Sequence, residues 1–384
     1  MGIYAMAHRY NVPLQVFSGE TTPILGIGSA MTTERLLAKT DGITNVRKTV
    51  LKCNSIFCEQ ETRGLVVSMK ISIIGAGRTR NGIGEYIGKY FHKHGARVTS
   101  VLGTTEKTSL QASSALRKYG IEAHPYTTFD EMVRGENPDA VVIASPSSTH
   151  YEYLLKCLDS GLHIFCEKPF LWGDHTDIRK RIEDIFEKAR EKKLTIAMNS
   201  QWLFSLDSYE EICGKIGIQE TSHFFMRMSP FSPGKVMIPE SIPHPLSILY
   251  CRFGAGEIKH LNFESGGEGK LDIRFTYLFG TRACDVLIKL VHQKTQPREF
   301  SYGFNGRIVS RSLDLENYEI YFHYGNKKLR IVDPLERSVK NFMEALENKI
   351  EPFIGSPHIL HNMSLLKEID DGFGEFEKRA PWKS

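Results

Sequence analysis

The sequence predicts an α/β protein, in which a doubly wound parallel sheet is followed by an α+β domain with an open, mostly antiparallel sheet. Three observations indicate this class. A strand, a glycine-rich turn and a helix follow one another from Lys70 to Phe91, buried strands then alternate with helices to residue 198, and segments after residue 221 alternate apolar and polar residues. We expect three parts: an N-terminal extension or partial domain (1–68), the parallel-sheet domain (69–198) and the α+β domain (199–384).

The composition is that of a globular protein, and it argues against several kinds of partner. The 384 residues include 49 basic and 45 acidic side chains, so neither nucleic acid nor an anionic membrane is expected to bind. No apolar run reaches about 18 residues, which predicts no transmembrane helix. Seven cysteines without framework spacing indicate a reducing cytoplasm. Cys53 and Cys58 have no matching Cys/His pair, so no metal is expected.

The first 68 residues do not fit the unit that begins at Lys70. The segments MGIYAMAHRYNVPLQVFSGE and MTTERLLAKTDGITNVRKTVL distantly resemble the C-terminal domain of cobalamin-biosynthesis proteins of the CbiG/CobE type. The opening strand of such a domain would be missing here. The alternative is an upstream extension of the chain without a function of its own.

The stretch from Lys70 to Phe91 predicts a dinucleotide-binding Rossmann unit. Its apolar, β-branched run is typical of a parallel strand that is covered on both faces. The glycines that follow would place backbone N–H groups at a helix N-terminus, where a pyrophosphate can bind; the alternative is a plain tight turn. Four residues, not two, separate the second glycine from the third. The glycines concerned are Gly75, Gly77, Gly82 and Gly84.

The end of the second predicted strand favours NADP over NAD as the cofactor. A fold that prefers NAD usually places an acidic residue here, on the ribose 2′-hydroxyl, but the sequence reads Gly103-Thr104-Thr105. The hydroxyls of Thr104 and Thr105 could bond a 2′-phosphate. Arg78 and Arg80, in the enlarged glycine loop, would add positive charge. The alternative is that both arginines are solvent-facing, and NAD stays possible.

The later strands of the parallel sheet end in polar residues. The segment DAVVIASPSSTHYEYLLKCLDSGLHIFCEKPF resembles the Gfo/Idh/MocA oxidoreductases, which include glucose–fructose oxidoreductase and inositol dehydrogenase. The resemblance extends from about residue 70 to 373. It implies cofactor contacts from the ends of these strands, a substrate border after the last strand at 194–198, and a homodimer or homotetramer formed through the C-terminal sheet. The implied cofactor residues are Ser145, Pro146, His150 and Glu167, and the implied substrate residues are Asn199, Gln201 and Trp202.

Lys168 has the strongest claim to catalysis. It lies between Glu167 and Pro169 at the end of a strand, beside the expected nicotinamide. A lysine there can stabilise a developing alkoxide or relay its proton. The alternative is a structural Lys–Glu pair in a tight turn. Pro169 is expected in the cis form, as in many relatives.

His244 is the second predicted catalytic group. Relatives read D-x-x-x-H-x-x-D at this place, with histidine transferring the proton and aspartate helping it. Here Glu240 stands at the first aspartate and is expected to tune His244, while Ser247 replaces the second. Pro243 and Pro245 flank the histidine and are expected to disturb a regular helix.

These residues predict a cytoplasmic NADP-dependent dehydrogenase or reductase. The resemblance implies a small polar substrate such as a sugar or a cyclitol derivative. Because the same superfamily includes biliverdin reductase, a tetrapyrrole or corrinoid-precursor reductase is an alternative. A non-catalytic dinucleotide-binding regulator is another, since Glu240 and Ser247 depart from the pattern.

Overall fold

A computed structural model describes residues 68–77, 83–173, 177–217 and 221–379, all within one compact unit. Several predictions fall on other residues and therefore lie outside the described part of the chain. These are the resemblance of the N-terminal extension, Cys53 and Cys58, and three residues of the glycine loop, Arg78, Arg80 and Gly82.

The first sheet has six parallel strands in the order β3-β2-β1-β4-β5-β6. The chain runs outward from β1 in one direction and from β4 in the other, so the adjoining ends of these two strands form the crevice where such sheets bind ligands. The strands are β1 Lys70–Ile74, β2 Arg97–Leu102, β3 His124–Tyr126, β4 Ala140–Ile143, β5 His163–Glu167 and β6 Ile196–Asn199.

Helices cover both faces of this sheet. In β4, Val141 and Ile143 pack into one apolar cluster and Val142 packs into another, because successive strand residues point to opposite faces. A strand buried on both sides reads as a continuous apolar run, which is the pattern that predicted it. The helices are α1 Gly84–Lys93, α2 Glu106–Arg117, α3 Phe129–Glu136, α4 His150–Asp159 and α5 Ile178–Glu191.

The sequence did not predict β3. This strand has three residues, none of them buried, and contains Pro125. Proline is tolerated there because β3 is the edge strand of the sheet, where one side of the backbone makes no ladder bonds.

The second sheet has eight strands in the order β14-β13-β12-β11-β7-β10-β9-β8. It is mostly antiparallel, as predicted, and the exception is the parallel pair β7–β10. The strand β14, KKLRI, was not predicted because its charges hide its short apolar alternation. The strands are β7 His223–Met228, β8 Glu257–Ser265, β9 Lys270–Phe279, β10 Arg282–Val291, β11 Phe300–Phe304, β12 Arg307–Asp314, β13 Glu319–Tyr324 and β14 Lys327–Ile331.

Five further α-helices are described after β6, and the distortion expected around His244 takes the form of an interruption between two of them. Ile242 separates two helices while its own backbone stays helical, and Pro243 starts the second helix. In the first turn of a helix the missing proline N–H costs no intrahelical bond, so both prolines are accommodated. The helices are α6 Leu206–Cys213, α7 Met237–Ser241, α8 Pro243–Phe253, α9 Pro334–Asn348 and α10 Ser356–Arg379.

Aromatic side chains join the two sheets. Tyr86 on α1 stacks on Tyr318, with ring centroids 5.2 Å apart, and the Tyr90 hydroxyl donates to Asp333 Oδ2 at 2.7 Å. These contacts fix α1, whose N-terminus faces the glycine turn, against the second sheet.

The five cysteines of the described residues are buried and form no disulfide. Within the same ranges, no helix is both long and apolar enough to cross a lipid bilayer.

Candidate active site

The turn after β5 brings Lys168 to the centre of the molecule. The Lys168–Pro169 peptide bond is cis, as predicted. Lys168 lines two neighbouring cavities, of about 400 Å³ and about 630 Å³, and Glu240 lines both as well. We call the first the sheet cavity, because residues around β11 and β12 form one of its walls. The second, the turn cavity, is bordered by Pro146, Ser147 and Trp172.

The ammonium group of Lys168 donates to the backbone carbonyl of Glu240 at 2.7 Å. Burial lowers the pKa of Lys168, and the carboxylates of Glu167 and Glu240 partly oppose that shift. Glu167 is itself buried and has a raised pKa. A lysine with a lowered pKa gives up its proton more readily, which suits a group that must both stabilise an oxyanion and exchange a proton.

Asn199 takes a different place from the one predicted for it. Its side-chain amide donates to Glu167 Oε1 at 2.5 Å, and it is buried. It therefore lies beside Glu167 and not on the wall of either cavity. Gln201 and Trp202, which follow it, do line the sheet cavity.

His244 reaches the sheet cavity from the first turn of α8. Burial lowers its pKa well below the usual value, and the nearby charge of Lys168 lowers it further. The imidazole is therefore neutral at neutral pH, so one of its nitrogens can accept a proton.

A small network of hydrogen bonds orients His244. Ser200 Oγ lies 3.2 Å from His244 Nδ1 and 3.2 Å from the Pro243 carbonyl oxygen, which must be an acceptor. Asn362 donates to the same carbonyl at 2.8 Å and to Ser247 Oγ at 2.9 Å. When Ser200 donates to Pro243, Nδ1–H of His244 donates to Ser200, and Nε2 is the nitrogen without a proton. Sequence reasoning did not assign these roles to Ser200 and Asn362.

Glu240 is not the hydrogen-bonding partner of His244. Its carboxylate accepts from the hydroxyl of Ser232 at 3.0 Å and from the Ser232 backbone N–H at 3.4 Å. The group at Nδ1 of His244 is Ser200. The expected tuning of His244 by Glu240 is therefore not made by a direct hydrogen bond.

The described part of the glycine turn fits a cofactor that approaches the backbone closely. Gly75 has a φ of +84°, and a Cβ there would lie 2.6 Å from Ser145 Cα. The turn after β1 is thus pressed against the turn after β4. A Cβ on Gly77 would meet no described atom within 4 Å, which leaves space beside the N-terminus of α1, where Gly84 lies.

Gly103, at the end of β2, has no room for a side chain. A Cβ on Gly103 would lie 2.6 Å from the backbone nitrogen of Ser109. Thr105 caps α2, and its hydroxyl accepts from the Thr108 N–H at 3.2 Å. Thr104 is exposed, so of the two predicted hydroxyls it is the one free to meet a ligand.

His150 faces backbone carbonyls. Nε2 lies 2.9 Å from the Ser145 oxygen, and Nδ1 lies 3.0 Å from the Pro169 oxygen and 3.2 Å from that of Phe170. The predicted cofactor residue thus ties the turn after β4 to the turn after β5, and its neighbour Pro146 lines the turn cavity.

The sheet cavity contains two arginines that sequence reasoning missed. Arg298 lies in the loop before β11, and Arg311 lies on β12. The Arg311 guanidinium lies over the rings of Trp202 and Phe300, at 5.4 Å and 5.9 Å from their centroids, and donates to the Arg298 carbonyl at 2.5 Å. No sequence motif marks either residue.

Residues 69–200 match the family model of the Gfo/Idh/MocA proteins, described as "Oxidoreductase family, NAD-binding Rossmann fold". Two curated relatives illustrate the match. D-glucoside 3-dehydrogenase from Escherichia coli is 25% identical over 142 residues, which are 37% of each chain. Inositol 2-dehydrogenase from Ralstonia nicotianae is 31% identical over 105 residues, which are 27% of this chain and 29% of the relative. The first curated relatives are thus matched over about a quarter to a third of their length.

The likeness to solved structures extends further along the chain. UDP-N-acetylglucosamine 3-dehydrogenase GnnA from Acidithiobacillus ferrooxidans superposes with a TM-score of 0.59, covering 79% of this chain and 97% of GnnA, at 16% identity. An NAD-binding oxidoreductase from Klebsiella pneumoniae gives 0.59 at 12% identity, covering 80% and 98%. At these identities the likeness establishes the fold, with its two sheets. No support for the cobalamin-type resemblance comes from these matches, which begin at residue 69 in the family model. Residues 69–200 are thus similar to the NAD-binding Rossmann domain of the Gfo/Idh/MocA oxidoreductases.

Proposed function

We propose that the chain is a dehydrogenase or reductase that uses NADP in preference to NAD and acts on a small polar molecule, such as a derivative of a sugar or cyclitol. One observation carries this proposal: Lys168 and His244 reach the same cavity, at the carboxyl ends of the strands of the NAD-binding domain. The names of the relatives, which include inositol and glucoside dehydrogenases, support the substrate class.

The side chains of the protein transfer the proton of the substrate hydroxyl and stabilise the negative charge on its oxygen. A nicotinamide cofactor, when bound, would supply hydride transfer to or from the reacting carbon of the substrate. In the oxidation direction, Nε2 of His244 removes the proton of the substrate hydroxyl, while Lys168 stabilises the negative charge that develops on its oxygen. In the reverse direction the same two groups hold the carbonyl oxygen and return the proton. Ser200 fixes which nitrogen of His244 is free.

Preference for NADP is supported by the end of β2. Gly103 is too closely packed against α2 to be replaced by the acidic residue that binds the ribose 2′-hydroxyl of NAD. Thr104 and the N-terminal N–H groups of α2 remain for a 2′-phosphate, which a helix N-terminus favours.

The test is cofactor binding by the full chain, followed by turnover. We expect NADPH to quench tryptophan fluorescence and raise the melting temperature at lower concentrations than NADH does. With an accepted sugar or cyclitol, Lys168→Met should lower kcat by about 10³-fold, because it removes the positive charge at the developing alkoxide. The control Lys180→Met removes an exposed lysine of α5 and should leave kcat unchanged. Failure of both dinucleotides to bind, or full activity in Lys168→Met, would contradict the proposal.

Two further expectations stay with this proposal. The cysteine usage predicts a cytoplasmic enzyme. The eight-stranded sheet is proposed as the surface through which two or four copies associate, and light scattering on the purified chain will measure their number. No partner other than the small-molecule substrate and the cofactor is proposed.

A further inference from the structure

The sheet cavity has an excess of positive charge. Three cationic side chains line it, together with two carboxylates. Both carboxylates are already engaged: Glu240 accepts from Ser232, and Glu299 pairs with Arg227 at 2.5 Å. The three cations are Lys168, Arg298 and Arg311.

Neither arginine forms an ion pair with a carboxylate of the described residues. No carboxylate there lies within 4.0 Å of either guanidinium, which is the distance of an ion pair. Burial disfavours the charge on both and lowers the pKa of each guanidinium; Glu240 partly offsets this at Arg298 and Asp333 at Arg311, where the charge of Arg298 adds to the cost. A partly buried cation without a directly paired carboxylate is unfavourable, so the retention of two such cations beside a cavity indicates a ligand of opposite charge.

Polar atoms around the arginines also lack partners. In the described structure, Arg311 Nε, Ser229 Oγ and Gln201 Oε1 are buried and make no hydrogen bond. Arg311 is already oriented by its bond to the Arg298 carbonyl and by its stack on Trp202, so its remaining donors are held in place. A guanidinium fixed in this way is suited to a planar or tetrahedral group with several acceptor oxygens.

We propose that the substrate carries an oxyanion, a carboxylate or a phosphate, and that Arg298 and Arg311 bind it in the sheet cavity while the reacting carbon lies at Lys168 and His244. This inference rests on the proposed function and narrows its substrate class from neutral polyols to their acidic derivatives. Lys168 stabilises the developing alkoxide, and the two arginines bind the permanent negative charge of the substrate.

The experiment compares matched ligands in the presence of saturating NADPH or NADP. Calorimetry on the full chain measures the affinities for glucose, glucuronate and glucose 6-phosphate, and for inorganic phosphate as a probe without a sugar. We expect at least one of the three oxyanion probes to bind about tenfold or more tightly than glucose. The comparison of glucuronate with glucose 6-phosphate separates a carboxylate from a phosphate as the recognised group.

Variants of the two arginines test whether these residues cause the tighter binding of oxyanions than of glucose. Arg311→Gln and Arg298→Gln should each reduce the preference for the oxyanion over glucose by about tenfold, with binding of NADPH unchanged. Arg311→Lys, which keeps the charge but loses the fork of donors, should retain part of it. The control Arg330→Gln removes an exposed arginine that pairs with Glu319 on the same sheet, and should retain all of it.

Each outcome decides between the two proposals. If NADPH binds but no oxyanion probe binds better than glucose, or if the preference survives in both glutamine variants, the oxyanion site is wrong and the dehydrogenase is untouched. If neither dinucleotide binds, the proposed function fails first. A folded Arg298→Gln variant keeps the test valid should Arg311→Gln lower the melting temperature.

Discussion

Two buried histidines, each in the first turn of a helix, contrast in what surrounds their nitrogens. His150 begins α4 and His244 is the second residue of α8. Burial lowers the pKa of both, and the charge of Lys168 lowers both further. His150 has both nitrogens against backbone carbonyl oxygens. His244 has Ser200 at Nδ1 and lines the sheet cavity.

The difference shows that burial and a perturbed pKa do not by themselves distinguish a catalytic histidine from a structural one. Both nitrogens of His150 lie against backbone carbonyl oxygens of two turns, so neither is placed to meet a substrate. In the described structure no hydrogen bond engages Nε2 of His244, which leaves one nitrogen for proton transfer. The partners of the ring, and not its charge state, separate the two roles.

The largest expected effect comes from removing the nitrogen that faces the substrate. His244→Gln should lower kcat by about 10²- to 10³-fold, because a glutamine amide cannot accept the proton, while the melting temperature changes little. In the wild type, the acid limb of kcat/KM for oxidation should lie below pH 6.5, since a lowered pKa keeps the imidazole neutral at that pH.

Steady-state rates between pH 5 and 9 measure both effects. His244 is not the proton-transfer group if the acid limb lies at or above pH 6.5, or if His244→Gln keeps more than a tenth of the wild-type kcat. In either case His244 would not differ in function from His150.

An intermediate effect on stability is expected at His150. In His150→Phe an aromatic ring stays, but the ring N–H is lost, so the backbone carbonyl that accepts from it loses its donor. The free energy of unfolding should fall by about 1–3 kcal/mol, and the loss of kcat should be smaller than in His244→Gln. Urea denaturation, with the acid limb followed in parallel, separates the two roles: a catalytic His150 would change the pH profile at unchanged stability.

The sequence predicted the parallel sheet well because its strands are buried on both faces and read as apolar runs. It did not predict β3 and β14, which are short edge strands; β3 contains a proline and β14 is rich in charged residues. It found Lys168 and His244 because each lies in a recognisable local pattern.

The remaining parts of the site depend on contacts between distant residues. Ser200 acquires its role from a histidine 44 residues later in the chain, and the partner of Ser247 is Asn362 on α10. Arg311 lies on β12, a strand in which apolar and charged residues alternate. A charged residue in such a strand is ordinarily expected to face solvent, so the sequence pattern did not predict that Arg311 lies over Trp202. Glu240 was assigned to His244 by helical spacing, but its carboxylate accepts from Ser232, a contact that helical spacing cannot predict.

The smallest expected effect comes from a change at Ser200. It tests the comparison of His150 with His244 most directly, because both histidines stay in place. Ser200→Ala removes the group at Nδ1 of His244, so that the ring can adopt either tautomer and Nε2 is no longer always the free nitrogen. We expect kcat to fall by about 2- to 10-fold, the value of one hydrogen bond, with KM nearly unchanged. The acid limb should also move, because the bond from Nδ1–H to Ser200 no longer contributes to the pKa of the ring. Ser200→Thr keeps the hydroxyl and should restore both kcat and the pH profile. A Ser200 that only fills space would give the opposite result, since valine would then serve as well as threonine and neither would move the acid limb.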